Sequence, residues 1–161
     1  MNTNAKEIIK LIIMIGITFL VVFATTEFVV KPVVVSGESM ENTYKDGQYQ
    51  FVNRLSYHNE DPQRGDVIVF EKDKGELLIK RVIGLPGETI EVRDGQTYIN
   101  GKLFEEPYTK EPLMYDDMEP VTVYEDTYFV MGDNRNNSLD SREFGAVGKS
   151  DILGKIFSQR K

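Results

Sequence analysis

The chain has 161 residues, 40% of them hydrophobic, which suits one packed domain with an appendage better than two full domains. Its formal net charge of −7 argues against a nucleic-acid partner, because a phosphate backbone would repel it. The lack of cysteine excludes disulfides and thiolate chemistry, and the single histidine, His58, lies in a polar turn-forming run. We therefore expect no metal site and no cofactor, and any hydrolysis would need a base other than histidine.

The N-terminal region carries a long apolar run. Residues 11–24 include no charged side chain, and apolar residues on both sides extend the run. A bilayer core takes about 20 helical residues to span, and the run reaches this length if Lys10 and Glu27 lie near the two interfaces. The sequence therefore predicts one transmembrane helix.

Two other interpretations of the apolar run are open. Its preceding lysines and the small residues at its end loosely resemble a cleaved secretory signal. A buried helix of a soluble domain is the other, although no polar face interrupts the run at helical spacing. Lys6 and Lys10 before the run, against Lys31 soon after it, favour an N-terminus inside the cell. The rest of the chain would then lie outside.

From Val29 onward, short runs of β-branched and aromatic residues alternate with turns, a pattern typical of an all-β domain. The predicted strands are residues 33–35, 49–53, 66–71, 77–85, 89–92, 97–99, 122–124, 128–131 and 152–157. Tight turns are predicted at Asp46-Gly47, Asp94-Gly95 and Asn100-Gly101, whose residues accept positive φ. Residues 102–120 contain three prolines without periodicity, which indicates a long surface excursion. We expect an antiparallel meander.

Three segments differ from ordinary strand or turn sequence. They are residues 36–40 (SGESM), 80–87 (KRVIGLPG) and 132–142 (GDNRNNSLDSR). Their order, downstream of an apolar N-terminal segment, resembles the type I signal peptidases, or leader peptidases, which are serine/lysine dyad proteases. The resemblance implies a mainly β fold: a cytoplasmic tip and transmembrane anchor helix in residues 1–28, then a compact antiparallel β catalytic domain in residues 29–161.

The first segment contains the candidate nucleophile. A serine hydroxyl is a poor nucleophile unless a base lies within hydrogen-bond reach. Ser39 follows three valines and two small residues, so a strand ends where the backbone can turn closely around a substrate carbonyl. Resemblance implies that Ser39 is the nucleophile and puts Gly37 where some relatives carry an oxyanion-hole serine. The oxyanion would then depend on backbone N–H groups of Ser39 and Gly37.

The chain departs from the family pattern at Asn42, where proline is usual. Asparagine tolerates turn conformations but does not preset φ, so we expect a less rigid loop after the nucleophile.

The second segment places Lys80 within a strand. Alternation puts its side chain on the same face as Leu78 and Val82. An ammonium on an apolar face is costly, so burial should lower the pKa of Lys80 and favour the neutral amine, which can accept the serine proton. A lysine on an edge strand that reaches water is the alternative. Resemblance implies that Lys80 is the catalytic base.

The third segment, rich in glycine, asparagine and aspartate, would by itself indicate a solvated loop. Resemblance implies that Ser138 orients the lysine amine and that Asp140 and Arg142 form an ion pair that holds the loop. Asp133 and Arg81 are expected to form a second pair.

The substrate also follows from the resemblance. Such an enzyme is held at the outer face of the lipid bilayer and cuts signal-peptide-bearing preproteins after small residues. An extended substrate would add as a strand over shallow apolar pockets, for which Val35, Met40, Leu78 and Val82 are the candidate lining residues.

Two rival functions are open. A self-cleaving repressor-type serine/lysine protease would share the nucleophile and base, but the apolar run stands where its DNA-binding module would be. A catalytically impaired, membrane-tethered binding module of the same fold is conceivable because of Asn42, although such a module needs no desolvated lysine.

Overall fold

A computed structural model of the chain describes residues 3–73, 75–110 and 117–157. Its first element is helix α1 (Thr3–Phe28), in which Lys6–Thr26 is long and apolar enough to cross a membrane. No residue in the most apolar part of this helix is buried inside the protein. The Thr18 and Thr25 hydroxyls donate to backbone carbonyls one turn earlier, at 2.9 and 2.8 Å, so neither hydroxyl is left unsatisfied on an apolar helix. The predicted helix is thus confirmed.

The rest of the described chain forms a mainly β domain, as the sequence predicts. Its strands are β1 (Val30–Val34), β2 (Tyr49–Asn53), β3 (Val67–Glu71), β4 (Leu77–Gly84), β5 (Thr89–Arg93), β6 (Gln96–Ile99), β7 (Lys102–Leu103), β8 (Met118–Thr122), β9 (Thr127–Met131), β10 (Val147–Gly148) and β11 (Ile152–Ile156). One short helix, α2 (Ser141–Phe144), precedes β10. Every strand pairing is antiparallel.

The strands form two sheets. The larger has the order β1-β2-β11-β3-β4-β9-β10, and the smaller has the order β7-β6-β5-β8. Asp94 and Asn100, at the predicted turns on either side of β6, both have φ of 52°, the left-handed conformation that these residues tolerate. Consecutive tight turns therefore fold β5, β6 and β7 into one meander.

Four strands differ from the sequence prediction: the two-residue strands β7 and β10 have no predicted counterpart, and β1 and β8 have other bounds than expected. Strand β1 begins at Val30, directly after α1, and accommodates Pro32 because it lies at the edge of the large sheet. Strand β8 overlaps the end of the predicted surface excursion, and its pairing with β5 shifts register around Pro120. An edge strand with a bulge tolerates a proline that lacks an N–H. Residues 111–116 of the excursion lie outside the described residues.

Strands β3 and β4 have apolar residues packed in the core on both faces of the large sheet. Val69 and Ile79 pack on one face of the large sheet, while Ile68 and Val82 pack on the other. Strand β3 pairs with β4 over residues 77–81, but β9 pairs with β4 only from Arg81 to Gly84. Among the described residues, therefore, no strand pairs with residues 77–80 on the β9 side of β4.

Candidate active site

The serine turn follows β1 and is attached to the core at both ends. Val35 and Met40 are only 2% and 1% exposed. Between them, Gly37 has φ of +85°, which favours glycine, and its N–H donates to the Asp46 carboxylate at 2.8 Å. The turn therefore holds Ser39 between two buried anchors.

The side chains of Ser39 and Lys80 lie within hydrogen-bond distance of each other. The Lys80 Nζ lies 2.7 Å from the Ser39 Oγ, although 41 residues separate them in sequence. Lys80 is only 3% exposed. Burial lowers the pKa of Lys80, the Asp140 carboxylate opposes this shift, and the Arg142 guanidinium supports it. The pair can thus transfer a proton from the hydroxyl to a neutral amine.

Gly132, at the end of β9, forms the floor of this site. A Cβ on it would lie 2.2 Å from the Ser138 Oγ and 2.6 Å from the Ser39 carbonyl oxygen, so only glycine fits without displacing them. Its N–H donates to the Asp140 carboxylate at 3.0 Å. The close approach of the Ser39 carbonyl to this glycine brings the serine turn and the third motif together.

Ser138 does not make the contact that the sequence led us to expect. Its Oγ is buried and has no hydrogen-bond partner among the described residues, so it is not bonded to the Lys80 amine in this structure. The Oγ instead packs against Gly132.

Both expected ion pairs are formed, and each is bidentate. Arg81 contacts the two carboxylate oxygens of Asp133 at 2.8 and 2.6 Å, and Arg142 contacts those of Asp140 at 2.8 and 2.9 Å. Both aspartates are 0% exposed. Buried carboxylates paired in this way fix a loop strongly, because loss of either partner leaves an uncompensated charge.

Hydrogen bonds connect the serine turn and the residues that follow it to the third motif. Asn134 donates its backbone N–H to the Ser39 carbonyl at 2.9 Å. Asn42, where the family pattern has proline, donates its side-chain amide to the Asp133 carbonyl at 2.8 Å, and the Thr43 hydroxyl donates to the Asp133 carboxylate. The loop that we expected to be less rigid is therefore tied to its neighbour by a hydrogen bond that proline could not make.

The backbone donors for an oxyanion differ from the expectation. The Gly37 N–H already donates to Asp46, so the expectation that it serves the oxyanion needs correction. None of the hydrogen bonds found among the described residues uses the Ser39 N–H. Of the two expected donors, the Ser39 N–H is therefore the one that remains for the oxyanion.

An apolar groove leads to the serine. It is lined by Lys31, Pro32, Val33, Val34, Val35, Ser36, Ser39, Met40, Val69, Leu77, Leu78, Ile79 and Lys80. Three of the four expected lining residues are among them. Val82 is not: it is 0% exposed, because it packs in the core against Ile68 and Val130. The groove thus runs between β1 and the part of β4 that β9 leaves unpaired.

Sequence reasoning missed two contributors to the site. Glu106 and Tyr108 lie in the segment that was taken as a surface excursion, yet they contact Arg135 and Arg81. Arg135 lies within the third motif but had no assigned role. An arginine is almost never buried without a charged partner. Looking for such a partner for Arg135 is the one step that could have led from the sequence to Glu106.

Comparison with known proteins gives consistent matches. A family model described as signal peptidase, peptidase S26, matches residues 8–159. Signal peptidase IB of Staphylococcus aureus (strain COL) is 35% identical over 168 aligned positions, covering 94% of this chain and 88% of that protein. Signal peptidase I P of Bacillus subtilis subsp. natto is 40% identical over 164 positions, covering 95% and 87%.

A solved structure agrees with these sequence matches. The crystal structure of a signal peptidase I from Enterococcus faecalis V583 superimposes with a TM-score of 0.53 at 41% identity, covering 60% of this chain and 97% of that one. Sequence family, curated relatives and fold all agree with a serine turn beside a buried lysine. The chain therefore belongs to the S26 signal peptidase family and is a membrane-anchored serine endopeptidase of the signal peptidase I type.

Proposed function

We propose that Ser39 is the nucleophile and Lys80 the general base of this peptidase. The observation that carries the proposal is the 2.7 Å separation of the Lys80 Nζ and the Ser39 Oγ at a lysine only 3% exposed. A buried amine is neutral at lower pH than a solvated one, so it can accept the hydroxyl proton. Incubating the detergent-solubilised protein with a signal-peptide-bearing precursor, and mapping the cut, tests the function.

The reaction has two halves. The neutral Lys80 amine takes the Ser39 proton while the Oγ attacks the scissile carbonyl carbon, and the resulting oxyanion accepts a hydrogen bond from the Ser39 N–H. The Lys80 ammonium then protonates the leaving amine, and the C–N bond breaks to give an acyl-enzyme. In the second half, Lys80 deprotonates a water that attacks the ester, and Ser39 regains its proton.

Supporting residues keep this geometry. We assign Ser138 the role of a neighbour that orients the Lys80 amine as substrate binds, since its buried Oγ borders the same glycine floor as Ser39. The pairs Arg81–Asp133 and Arg142–Asp140 would hold the loop in place, and Arg142 offsets the effect of Asp140 on the lysine.

The substrates are preproteins, and their recognition follows from the groove. Strand β1 pairs only with β2, and β4 lacks a partner strand beside residues 77–80 among the described residues. An extended peptide between these two strand edges would gain backbone hydrogen bonds on both sides. Val35, Met40 and Leu78 would then form shallow apolar surfaces that select small side chains near the cut.

The membrane-spanning helix and its orientation complete the proposal. Residues 1–28 would form a cytoplasmic tip and single-pass anchor, and residues 29–161 the extracytoplasmic catalytic domain. Two lysines before the span favour this orientation. We expect externally added protease to digest the catalytic domain in intact spheroplasts while sparing a tag fused to the N-terminus. Protection of the domain until the membrane is permeabilised would reverse the assigned orientation.

The anchor should matter for precursors in a membrane more than for free peptides. Removing Met1 to Thr26 is expected to leave peptide cleavage largely intact but to slow cleavage of precursors in liposomes. A shared bilayer raises the effective concentration of enzyme and substrate, with gains of about 10²-fold for such tethering. Rates of full-length and truncated protein on the two substrates provide the comparison. Equal rates on liposomal precursor would show that the helix has no part in substrate capture.

A further inference from the structure

A buried arginine lies directly behind the glycine floor of the active site. The side chain of Arg135 is 0% exposed. Its Nε donates to the Gly132 carbonyl at 3.0 Å, and its Nη1 donates to the Thr97 hydroxyl of β6 at 3.2 Å. Arg135 thus connects the large sheet, at the floor of the site, to the small sheet.

A carboxylate from outside the three motifs faces this guanidinium. The two Glu106 oxygens each lie 2.5 Å from a terminal nitrogen of Arg135, and the Glu106 side chain is 5% exposed. A buried guanidinium is tolerated where its charge is balanced and its hydrogen bonds are satisfied. Glu106 therefore determines whether Arg135 can remain in this position.

A tyrosine two residues later extends the contact to the second arginine of the site. The Tyr108 hydroxyl donates to Glu106 at 3.1 Å, and its ring lies 4.1 Å below the Arg81 guanidinium. Arg81 in turn holds Asp133. A cation over the face of an aromatic ring at a partly desolvated position is attracted to the ring. One short segment after β7 thus contacts both Arg135 and Arg81.

Gly132 links these contacts to the reacting side chains, because it lies directly beside the serine turn. Its carbonyl is held by Arg135 and its N–H by Asp140. Its Cα leaves no room beside the Ser39 carbonyl and the Ser138 Oγ. A shift of the glycine would therefore move the serine turn relative to Lys80, and misplacement by about 1 Å can cost roughly 10²-fold in rate.

We propose that Glu106 is a positioning residue of this peptidase: through Arg135 it fixes Gly132, and hence the alignment of Ser39 with Lys80, with Tyr108 assisting. The proposal rests on Ser39 and Lys80 being the catalytic pair. It assigns a catalytic consequence to the segment between β7 and residue 110, which sequence motifs leave without any role.

The test compares Glu106→Gln with Glu105→Gln in full-length, detergent-solubilised protein. Glutamine keeps the shape of Glu106 but removes its charge, whereas the neighbouring Glu105 is exposed. For Glu106→Gln we expect kcat on a precursor to fall about 10-fold or more with KM nearly unchanged, per site titrated by a serine-directed acylating probe. Glu105→Gln should match the parent.

Further variants separate positioning from simple stabilisation. If Glu106 acts through Arg135, the double variant Glu106→Gln/Arg135→Gln should be no slower than Arg135→Gln alone. Tyr108→Phe, which keeps the ring over Arg81 but removes the hydroxyl, should show a smaller loss of kcat, and it decides the matter if Glu106→Gln fails to fold.

Three results would overturn the inference. A parental kcat per titrated site in Glu106→Gln, or in Tyr108→Phe if only that variant folds, would leave the pair a merely structural role. Additive losses in the double variant would contradict action through Arg135. Ser39→Ala run in the same assay distinguishes the two levels: if that variant still cleaves, the catalytic assignment itself fails, whereas an inactive Ser39→Ala beside an unaffected Glu106→Gln refutes only the positioning role.

Discussion

Replacing Ser39 by alanine is expected to lower precursor cleavage by roughly 10⁴-fold or more, the scale on which removal of a serine nucleophile acts. The substitution removes the Oγ that lies 2.7 Å from the Lys80 Nζ, which is the atom proposed to attack the scissile carbonyl. The β domain should remain folded, with the free energy of unfolding changed by about 1 kcal/mol or less, because Ser39 is only half-buried.

Two measurements decide this result. Cleavage of a precursor is followed by mass spectrometry of the products, and folding by thermal unfolding of the same preparation. Ser150→Ala provides the control, since Ser150 is an exposed serine far along the chain and should cleave at the parental rate. Normal cleavage by folded Ser39→Ala would exclude the serine mechanism, and an inactive parental protein would favour the binding-module alternative.

Replacing Lys80 by arginine should abolish activity as completely, and raising the pH should not restore it. The guanidinium stays protonated in proteins, so it cannot accept the Ser39 proton. Lys80→Met should also be inactive yet folded, because an apolar chain of similar length suits a position that is only 3% exposed. Lys45→Arg, at an exposed lysine beyond the serine turn, should keep parental activity.

The pH profile of the parental enzyme tests the same base from another side. Burial lowers the pKa of Lys80, and only the deprotonated amine can act, so the rate should rise with pH through this lowered value and level off above it. Asp140 stabilises the ammonium and opposes the shift, whereas Arg142 offsets that effect. Rates measured from roughly pH 6 to 10 bracket a depressed lysine. An acidic limb centred at the pKa of a free lysine, or an active Lys80→Arg, would favour the edge-lysine interpretation.

Elements with strong local patterns were predictable. Helix α1 follows from an uncharged run of membrane-spanning length, and β6 follows from turn residues on both sides that accept positive φ. Strand β8 was misplaced because Pro120 indicates a loop, and only its position at a sheet edge allows a strand there. Local propensity cannot tell which edge a strand will occupy.

The candidate site was also predictable from the sequence only in part. Three motifs in order were enough to select Ser39 and Lys80, and the pairs Arg81–Asp133 and Arg142–Asp140 could be anticipated from charge and motif together. The Gly37 donor and the groove position of Val82 were wrong, because the Gly37 N–H donates to Asp46 and Val82 packs in the core against residues of β3 and β9. Both outcomes depend on segments that are distant in sequence or separated by a turn.

The sequence by itself determined the membrane-spanning helix and the β class of the domain, which depend on composition and periodicity, and it selected the two candidate reacting side chains, which depend on short motifs that resemble a known family. Only the tertiary structure decided that Lys80 is buried against Ser39, that Gly132 leaves no space for a side chain, and that Glu106 neutralises Arg135. Those features arise where strands from different parts of the chain pack together, and burial and counter-charges are properties of that packing.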